Sequence, residues 1–282
     1  MVFDTHAHVN FNAFKDDADE VINQSLSGGV GMINIGSNYD TSNRAVELAE
    51  KYLNNVYAAV GLHPIHLAKG VFKMKMDEEE MANDNDEPID FSKFRELALS
   101  SKKVIAIGEI GLDYYYRPKT KTRMEEFKLR QKNTLLTQMK IANDLKLPII
   151  FHCRSAHKDL IDVLSTKVST RPGDVDKQWL GVVHCFTGNW QEAQQYLGLG
   201  LYLGFNGIID KLDLTETITK MPSEKILVET DCPYLTPKEL GDTRNEPLNV
   251  KYILKKIAQL RKINYEEMEA ITTNNAKKLF KI

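Results

Sequence analysis

Short, almost continuously apolar runs recur along the chain at regular intervals. Parallel strands have this character when helices cover both faces of their sheet, because neither side then meets water. We predict eight such strands: Val2–Thr5, Val30–Ile35, Val56–Gly61, Val104–Ile110, Pro148–Phe151, Gly181–Val183, Leu201–Gly204 and Lys225–Glu229.

Helical periodicity fills the intervals between these runs. The longest helix is predicted from about Thr122 to Leu147, where apolar residues repeat at helical spacing. Another helix is predicted to open at Asp40 and Thr41. Two further helix starts carry capping boxes in which asparagine replaces the usual serine: Asn189 with Glu192, and Asn264 with Glu267.

Eight strands that alternate with helices predict a closed (β/α)₈ TIM barrel, as a single domain over residues 1–282. A doubly wound open sheet is the alternative, and it usually has a glycine-rich phosphate loop after its first strand. Here His-Ala-His follows that strand instead, which favours the barrel. The acidic segment Lys69–Asp90 interrupts the pattern, and we expect a solvated loop or frayed helix there rather than a metal trap.

Composition narrows the class of protein. A net charge of −2 argues against a protein that coats DNA, but it allows an enzyme that grips one strand end with a few local cations. Three cysteines without CxxC spacing make a disulfide framework unexpected and indicate a reducing compartment. We find neither a secretory signal nor an apolar stretch of membrane-spanning length, so we expect a soluble cytoplasmic protein, with a nuclear location left open.

Six residues of metal-ligand type stand at or just after predicted strand ends: His6, His8, Glu109, His152, His184 and Asp231. The carboxyl ends of barrel strands converge on one mouth, so these residues are predicted to meet there. His6 and His8 are two apart and point to the same side of a strand. Glu109 has two oxygens that can bridge cations, and two cations roughly 4 Å apart can activate water and stabilise a phosphoryl group.

Each of these residues also has a structural explanation when it is taken alone. A His-x-His pair at a strand end binds metal in only about one case in five. A lone histidine after an apolar strand is more often a hydrogen-bonded core residue. Chance does not comfortably explain all six at the strand ends of one barrel, so the set favours a two-metal site.

Residues near the same mouth are candidates for substrate contacts. Arginine binds phosphate through two parallel hydrogen bonds, and imidazole can add a third. The predicted phosphate-binding residues are His63, Arg154, Arg244 and Asn245. Tyr114 and Tyr115 could stack on splayed bases, although packing at the rim is the commoner role of such rings.

Several motifs carry a family resemblance, in the family's order and over nearly the whole chain. They are Phe-Asp-Thr-His-Ala-His (3–8), Gly-Leu-His-Pro (61–64), Ile-Gly-Glu-Ile-Gly-Leu-Asp-Tyr (107–114), Phe-His-Cys-Arg (151–154), His-Cys-Phe-Thr-Gly (184–188), Glu-Thr-Asp-Cys-Pro-Tyr-Leu (229–235) and Arg-Asn-Glu-Pro (244–247). The chain resembles the TatD family of metal-dependent deoxyribonucleases. The stretch from Lys69 to Asp90 is longer than the family usually carries, which leaves substrate reach open.

The resemblance implies a TIM barrel in which the six residues bind divalent ions. It makes Glu109 the bridging ligand, and Asp231 both a ligand and the acceptor of a proton from the attacking water. It also implies a Mg²⁺-dependent nuclease that trims DNA from 3′ ends. From the residues themselves, four imidazoles favour Zn²⁺ or Mn²⁺.

We therefore predict a 3′–5′ exonuclease with two divalent ions, acting on single-stranded DNA or 3′ ends, with a role in DNA repair. Two alternatives stay open. A hydrolase of another ester or amide, such as an aminoacyl-tRNA deacylase, could use the same site, because fold does not determine substrate. A metal-binding interaction protein without turnover is the other.

Overall fold

The computed structural model describes residues 1–72, 89–168 and 178–282. Its strands pair in parallel, each with the next along the chain. In the described ranges the strands are β1 (Val2–Ala7), β2 (Val30–Ile35), β3 (Val56–Val60), β4 (Val104–Asp113), β5 (Ile149–Arg154), β6 (Gly181–Val183), β7 (Tyr202–Phe205) and β8 (Ile226–Val228). This arrangement confirms the (β/α)₈ barrel.

Helices follow the strands around the outside of the barrel. Within the described residues they are α1 (Ala18–Ser27), α2 (Tyr39–Glu50), α3 (Phe91–Ser100), α4 (Lys121–Leu145), α5 (His157–Val168), α6 (Trp190–Gly198), α7 (Thr215–Lys220), α8 (Val250–Arg261) and α9 (Tyr265–Phe280). None of these helices is both long enough and apolar enough to cross a membrane.

Helix starts follow the chemistry that the sequence indicates. Asn189 and Glu192 form a reciprocal capping box at the start of α6, as predicted. The Asn264 side chain accepts the Glu267 N–H at the start of α9. Helix α2 begins slightly earlier than predicted, because Asn38 caps it.

Two apolar layers hold the barrel together. The outer layer joins strand residues to the inner faces of the helices. The interior is filled by strand side chains together with the end of α9: Phe3, Ile33, Ile35, Ala59, Ile105, Ile150, Val182, Tyr202, Leu227, Ala276, Leu279 and Phe280. Because α9 packs into the interior near the start of β8, it closes the amino-terminal end of the barrel and leaves the opposite mouth for a site.

The seam between β1 and β8 is closed by hydrogen bonds near the mouth. Thr5 Oγ1 donates to Val228 O at 3.1 Å. The backbone of the loop after β8 then pairs with β1, through Asp231 N to His6 O at 2.8 Å and His8 N to Cys232 O at 2.9 Å. These bonds bring Asp231 beside the His-x-His motif.

Strand β4 is longer than predicted, and its extra residues pair with the end of β5, where Asp113 lies opposite Arg154. Most of the acidic segment Lys69–Asp90, residues 73–88, lies outside the described residues. At its described end, the Asp90 side chain accepts the Ser92 N–H and caps α3.

Candidate metal centre

The six predicted ligands meet at the carboxyl-terminal mouth of the barrel. They come from β1, β4, β5, and the residues just after β1, β6 and β8. His6, His8, Glu109 and His184 are almost completely buried, and the side chains of His152 and Asp231 are 14% and 17% exposed. The cluster is therefore enclosed, with a small opening to solvent beside these two residues.

One group of ligand atoms belongs to His6, His8 and Asp231. The Nε2 atoms of His6 and His8 are 3.2 Å apart. Asp231 Oδ1 lies 3.7 Å from His6 Nε2 and 3.4 Å from His8 Nε2. Two imidazole nitrogens and a carboxylate oxygen within 4.8 Å of one another can hold one divalent ion.

The second group is built around Glu109. Its Oε1 lies 2.5 Å from His152 Nδ1 and 2.6 Å from His184 Nε2. Its other oxygen, Oε2, lies 3.4 Å from His6 Nε2. One carboxylate therefore joins the two groups, as a ligand shared by two cations would.

The backbone is strained where the ligand-bearing loops leave the strands. Asp231, Cys185 and Ser155 follow β8, β6 and β5, and have φ angles of 60°, 43° and 56°. Non-glycine residues rarely adopt this left-handed region, and such strain clusters at functional sites. Gly111 makes room for His152, because a Cβ at Gly111 would lie 1.9 Å from His152 O.

Hydrogen bonds behind two of the imidazoles, those of His8 and His152, orient these rings. His8 Nδ1 lies 2.9 Å from Ile35 O, so it donates there and leaves Nε2 facing the cluster. His152 Nε2 lies 3.1 Å from Asp113 Oδ2. His184 Nδ1 lies 3.5 Å from Glu229 Oε1, at ion-pair distance but without a hydrogen bond.

Asp113 and Glu229 were missed in the sequence, although both stand inside the motifs that carry the resemblance. Glu229 is two residues before Asp231, and Asp113 is four residues after Glu109. Side chains alternate along a strand, so the even spacing between Glu109 and Asp113 was a usable signal.

Charges in the cluster are coupled in a way that suits cation binding. Burial opposes ionisation of Glu109, yet the imidazoles of His184, His63 and His152 hold the pKa of its carboxyl well below the usual range. Burial likewise opposes protonation of His152, but Glu109 and Asp113 raise its pKa to about 9. Protons thus balance the carboxylates at neutral pH, and a bound cation could take their place.

Three of the predicted substrate residues lie at the same mouth. His63 Nε2 is 3.5 Å from Glu109 Oε1. Arg154 is exposed, lies two residues after His152 on β5, and stacks its guanidinium on Tyr115 with Cζ 3.7 Å from the ring centroid. Tyr115 is 54% exposed, so a cation and an aromatic ring lie together in solvent.

Three other substrate predictions are corrected by the contacts these residues make. Tyr114 is 5% exposed and its hydroxyl lies 3.0 Å from Asp159, so it offers no ring face to a base. Arg244 pairs with Asp17 at 2.6 Å and with Glu246 at 2.9 Å, so its guanidinium links two loops instead of standing free for phosphate.

The third correction is Asn245, which is 1% exposed. Its amide donates to Thr230 O and Tyr234 O, and its oxygen accepts from Glu246 N and Asn249 Nδ2. Both polar atoms of its side chain are thus used within the chain after β8, so it supports the backbone around Asp231.

Comparison with known proteins covers the whole chain. A family model described as TatD related DNase matches residues 3–281. The uncharacterized metal-dependent hydrolase YabD of Bacillus subtilis (strain 168) is 35% identical over 286 residues, covering 100% of both chains. The 3′-5′ ssDNA/RNA exonuclease TatD of Citrobacter rodentium (strain ICC168) is 34% identical over 291 residues, covering 100% of this chain and 98% of that protein.

Solved structures of TatD proteins also resemble this chain. The structure of YjjV, a TatD homolog from Escherichia coli K12, superposes with a TM-score of 0.80 at 28% identity and covers 100% of this chain and 98% of that one. A TatD family hydrolase from Entamoeba histolytica shares the fold, with a TM-score of 0.78 at 23% identity. The chain belongs to the TatD family of metal-dependent hydrolases.

Proposed function

We propose that this hydrolase is a 3′–5′ exonuclease that removes nucleotides from single-stranded DNA. The observation that carries the proposal is the pair of ligand groups joined by Glu109, with the Arg154–Tyr115 stack exposed at the same mouth. The name of the Citrobacter relative, an exonuclease on single-stranded DNA and RNA, supports the same substrate class. A cytoplasmic location and a role in DNA repair stay predictions from the sequence.

We assign two divalent ions to the cluster. His6, His8 and Asp231 would hold one, His152 and His184 the other, and Glu109 both. When bound, such ions supply Lewis acidity toward water and phosphoryl oxygen. The sequence resemblance implies Mg²⁺, whereas four imidazoles among six ligands favour Zn²⁺ or Mn²⁺.

Residues of the chain itself supply proton transfer and substrate binding. Burial opposes ionisation of Asp231, but His8 and the neighbouring imidazoles lower the pKa of its carboxyl. Asp231 is therefore ionised at neutral pH and can accept a proton from the attacking water. His63 Nδ1 accepts the Ile65 N–H, so the neutral ring carries its proton on Nε2 and can donate to a phosphate oxygen.

The Arg154–Tyr115 stack would bind the end of the strand. A guanidinium offers charge-assisted hydrogen bonds to a phosphate, and an exposed ring offers a stacking face to a base. Stacking needs an unpaired base, which favours single strands over duplexes.

The test is release of nucleotides from 3′-labelled single-stranded DNA, and from RNA of the same sequence, with Mg²⁺, Mn²⁺ or Zn²⁺ added. Glu109→Ala removes the shared ligand and should lower the rate by at least about 1,000-fold. Glu216→Ala is the matched control, because Glu216 is exposed and pairs only with Lys220 among the contacts described for its side chain. Equal rates in both variants, or no release with any metal, would contradict the proposal.

A further inference from the structure

Asp113 lies directly behind His152 and is held rigidly there. Its Oδ2 is 3.1 Å from His152 Nε2, and its Oδ1 accepts the Tyr115 N–H at 2.9 Å. The Gln131 side chain clamps its backbone, accepting from Asp113 N at 2.8 Å and donating to Asp113 O at 2.9 Å. At 5% exposed, the carboxylate has no freedom to turn elsewhere.

A carboxylate only accepts hydrogen bonds, so the His152 nitrogen that faces Asp113 must carry a proton. The other ring nitrogen, Nδ1, faces Glu109 Oε1. We propose that Asp113 is a positioning residue that holds His152 as the Nε2–H tautomer and thereby presents the Nδ1 lone pair to a metal ion. This inference rests on the metal assignment made under the proposed function.

His63, Asp113 and His152 also lie close enough together to form a third metal site. The hydrogen bonds argue against it. Because His63 Nδ1 already accepts the Ile65 N–H, a neutral His63 has its proton, and no lone pair, on the Nε2 that faces the cluster. A third ion would also require His152 to be deprotonated at both nitrogens.

Two substitutions at Asp113 separate positioning from a merely structural role. In Asp113→Asn the amide oxygen keeps the Tyr115 N–H, so the NH₂ group faces His152 Nε2 and donates to it. That bond stabilises the Nδ1–H tautomer, which cannot bind metal at Nδ1. Asp113→Ala removes the partner and leaves the ring free to adopt either tautomer.

We expect Zn²⁺ affinity, measured by competition with a chromophoric chelator, to fall in the order wild type, Asp113→Ala, Asp113→Asn. The expected losses are about 10-fold for alanine and about 100-fold for asparagine. A structural role predicts the reverse order, because asparagine preserves the shape and the Tyr115 bond. Circular dichroism of the metal-free proteins checks that each variant is folded.

Asp159→Asn is the matched control, since Asp159 is a carboxylate nearby that pairs with Lys132 and the Tyr114 hydroxyl. Its Zn²⁺ affinity should equal that of wild type. If Asp113→Asn fails to fold, long-range ¹H–¹⁵N spectra of Zn²⁺-loaded wild type still test the inference, because His152 Nε2 must carry a proton.

The remaining outcomes are distinct. Wild-type protein that binds no Zn²⁺ would overturn the metal assignment itself. Wild-type affinity in both Asp113 variants would overturn only the positioning role. Loss of one Zn²⁺ equivalent, with the others bound unchanged, would overturn it in favour of the third metal site.

Discussion

Asp4 is a fully buried carboxyl group at the seam between β1 and the loop after β8, and Asp4→Asn tests how it is charged. Its Oδ2 lies 2.6 Å from Thr230 Oγ1, and its Oδ1 accepts the Thr230 N–H at 2.9 Å and the His6 N–H at 3.2 Å. Burial raises the pKa of Asp4 to about 8, against the hydrogen bonds from Thr230 and His6. The group is therefore mostly protonated at neutral pH, and asparagine is close to its neutral form in shape and hydrogen bonding.

The raised pKa determines how the stability of the wild-type protein changes with pH. A carboxyl whose pKa is higher in the folded than in the unfolded protein contributes stability that is complete below the unfolded pKa and is lost as pH rises toward the folded pKa. Here the loss extends from about pH 4 to about pH 8, at about 1.4 kcal/mol per pH unit. Asparagine does not titrate. The free energy of unfolding of Asp4→Asn minus that of wild type should therefore rise by roughly 2 to 3 kcal/mol between about pH 5.5 and about pH 7.5.

Urea denaturation at three pH values in this range measures the difference directly, with EDTA present because a bound cation would lower the pKa of Asp4. The matched control is Asp210→Asn. Lys256 and the Lys238 N–H hold the pKa of Asp210 below its usual range despite burial, so this group stays ionised throughout and its difference from wild type should not change with pH. A difference for Asp4→Asn that is equally flat would refute the reasoning, since Asp4 would then be ionised in the native state.

Two further predictions concern the mouth of the barrel. Gly204→Ala would place a Cβ 2.3 Å from Glu229 Oε2 and displace that carboxylate from behind His184, so Zn²⁺ affinity should fall about 10-fold. Competition with a chelator measures the affinity, and a wild-type value would show that Glu229 does not support His184. Arg154→Ala removes the guanidinium stacked on Tyr115 and should raise KM for a single-stranded oligonucleotide about 10-fold, with little change in kcat. Steady-state kinetics measure both constants, and a fall in kcat alone would place Arg154 in the chemical step instead.

The fold could be predicted from sequence because its signals are local and repeated. Buried parallel strands leave apolar runs, and helix starts leave capping residues such as Asn189. The lengths of the strands were harder to predict from the sequence. The end of β4 carries Asp113, a residue type that favours turns. It stays in the strand because the Gln131 side chain on α4 bonds to its backbone N–H and carbonyl, and because Arg154 O on β5 accepts the N–H of the next residue, Tyr114.

The candidate site was predictable in part for a similar reason. Barrel topology brings strand ends together, so residue type and position along the chain were enough to select six candidate ligands whose side chains the structure places close together. Arg244 and Asn245 could not be assigned in this way. Their partners are Asp17, more than two hundred residues distant in sequence, and backbone carbonyls of their own loop, and no local pattern reports either.

Residue type alone does not predict which ring nitrogen of each histidine faces the site. The sequence treats His8, His63 and His152 alike, but their second nitrogens differ: one faces a carbonyl, one accepts a backbone N–H, and one faces a carboxylate. Donating from the second nitrogen leaves a lone pair for metal on the first, whereas accepting there leaves a proton. His8 and His152 are thereby suited to bind cations, and His63 to donate to substrate. The hydrogen-bond partners behind the rings therefore decide which histidine can bind a cation and which can donate to substrate, and for His152 that partner is Asp113.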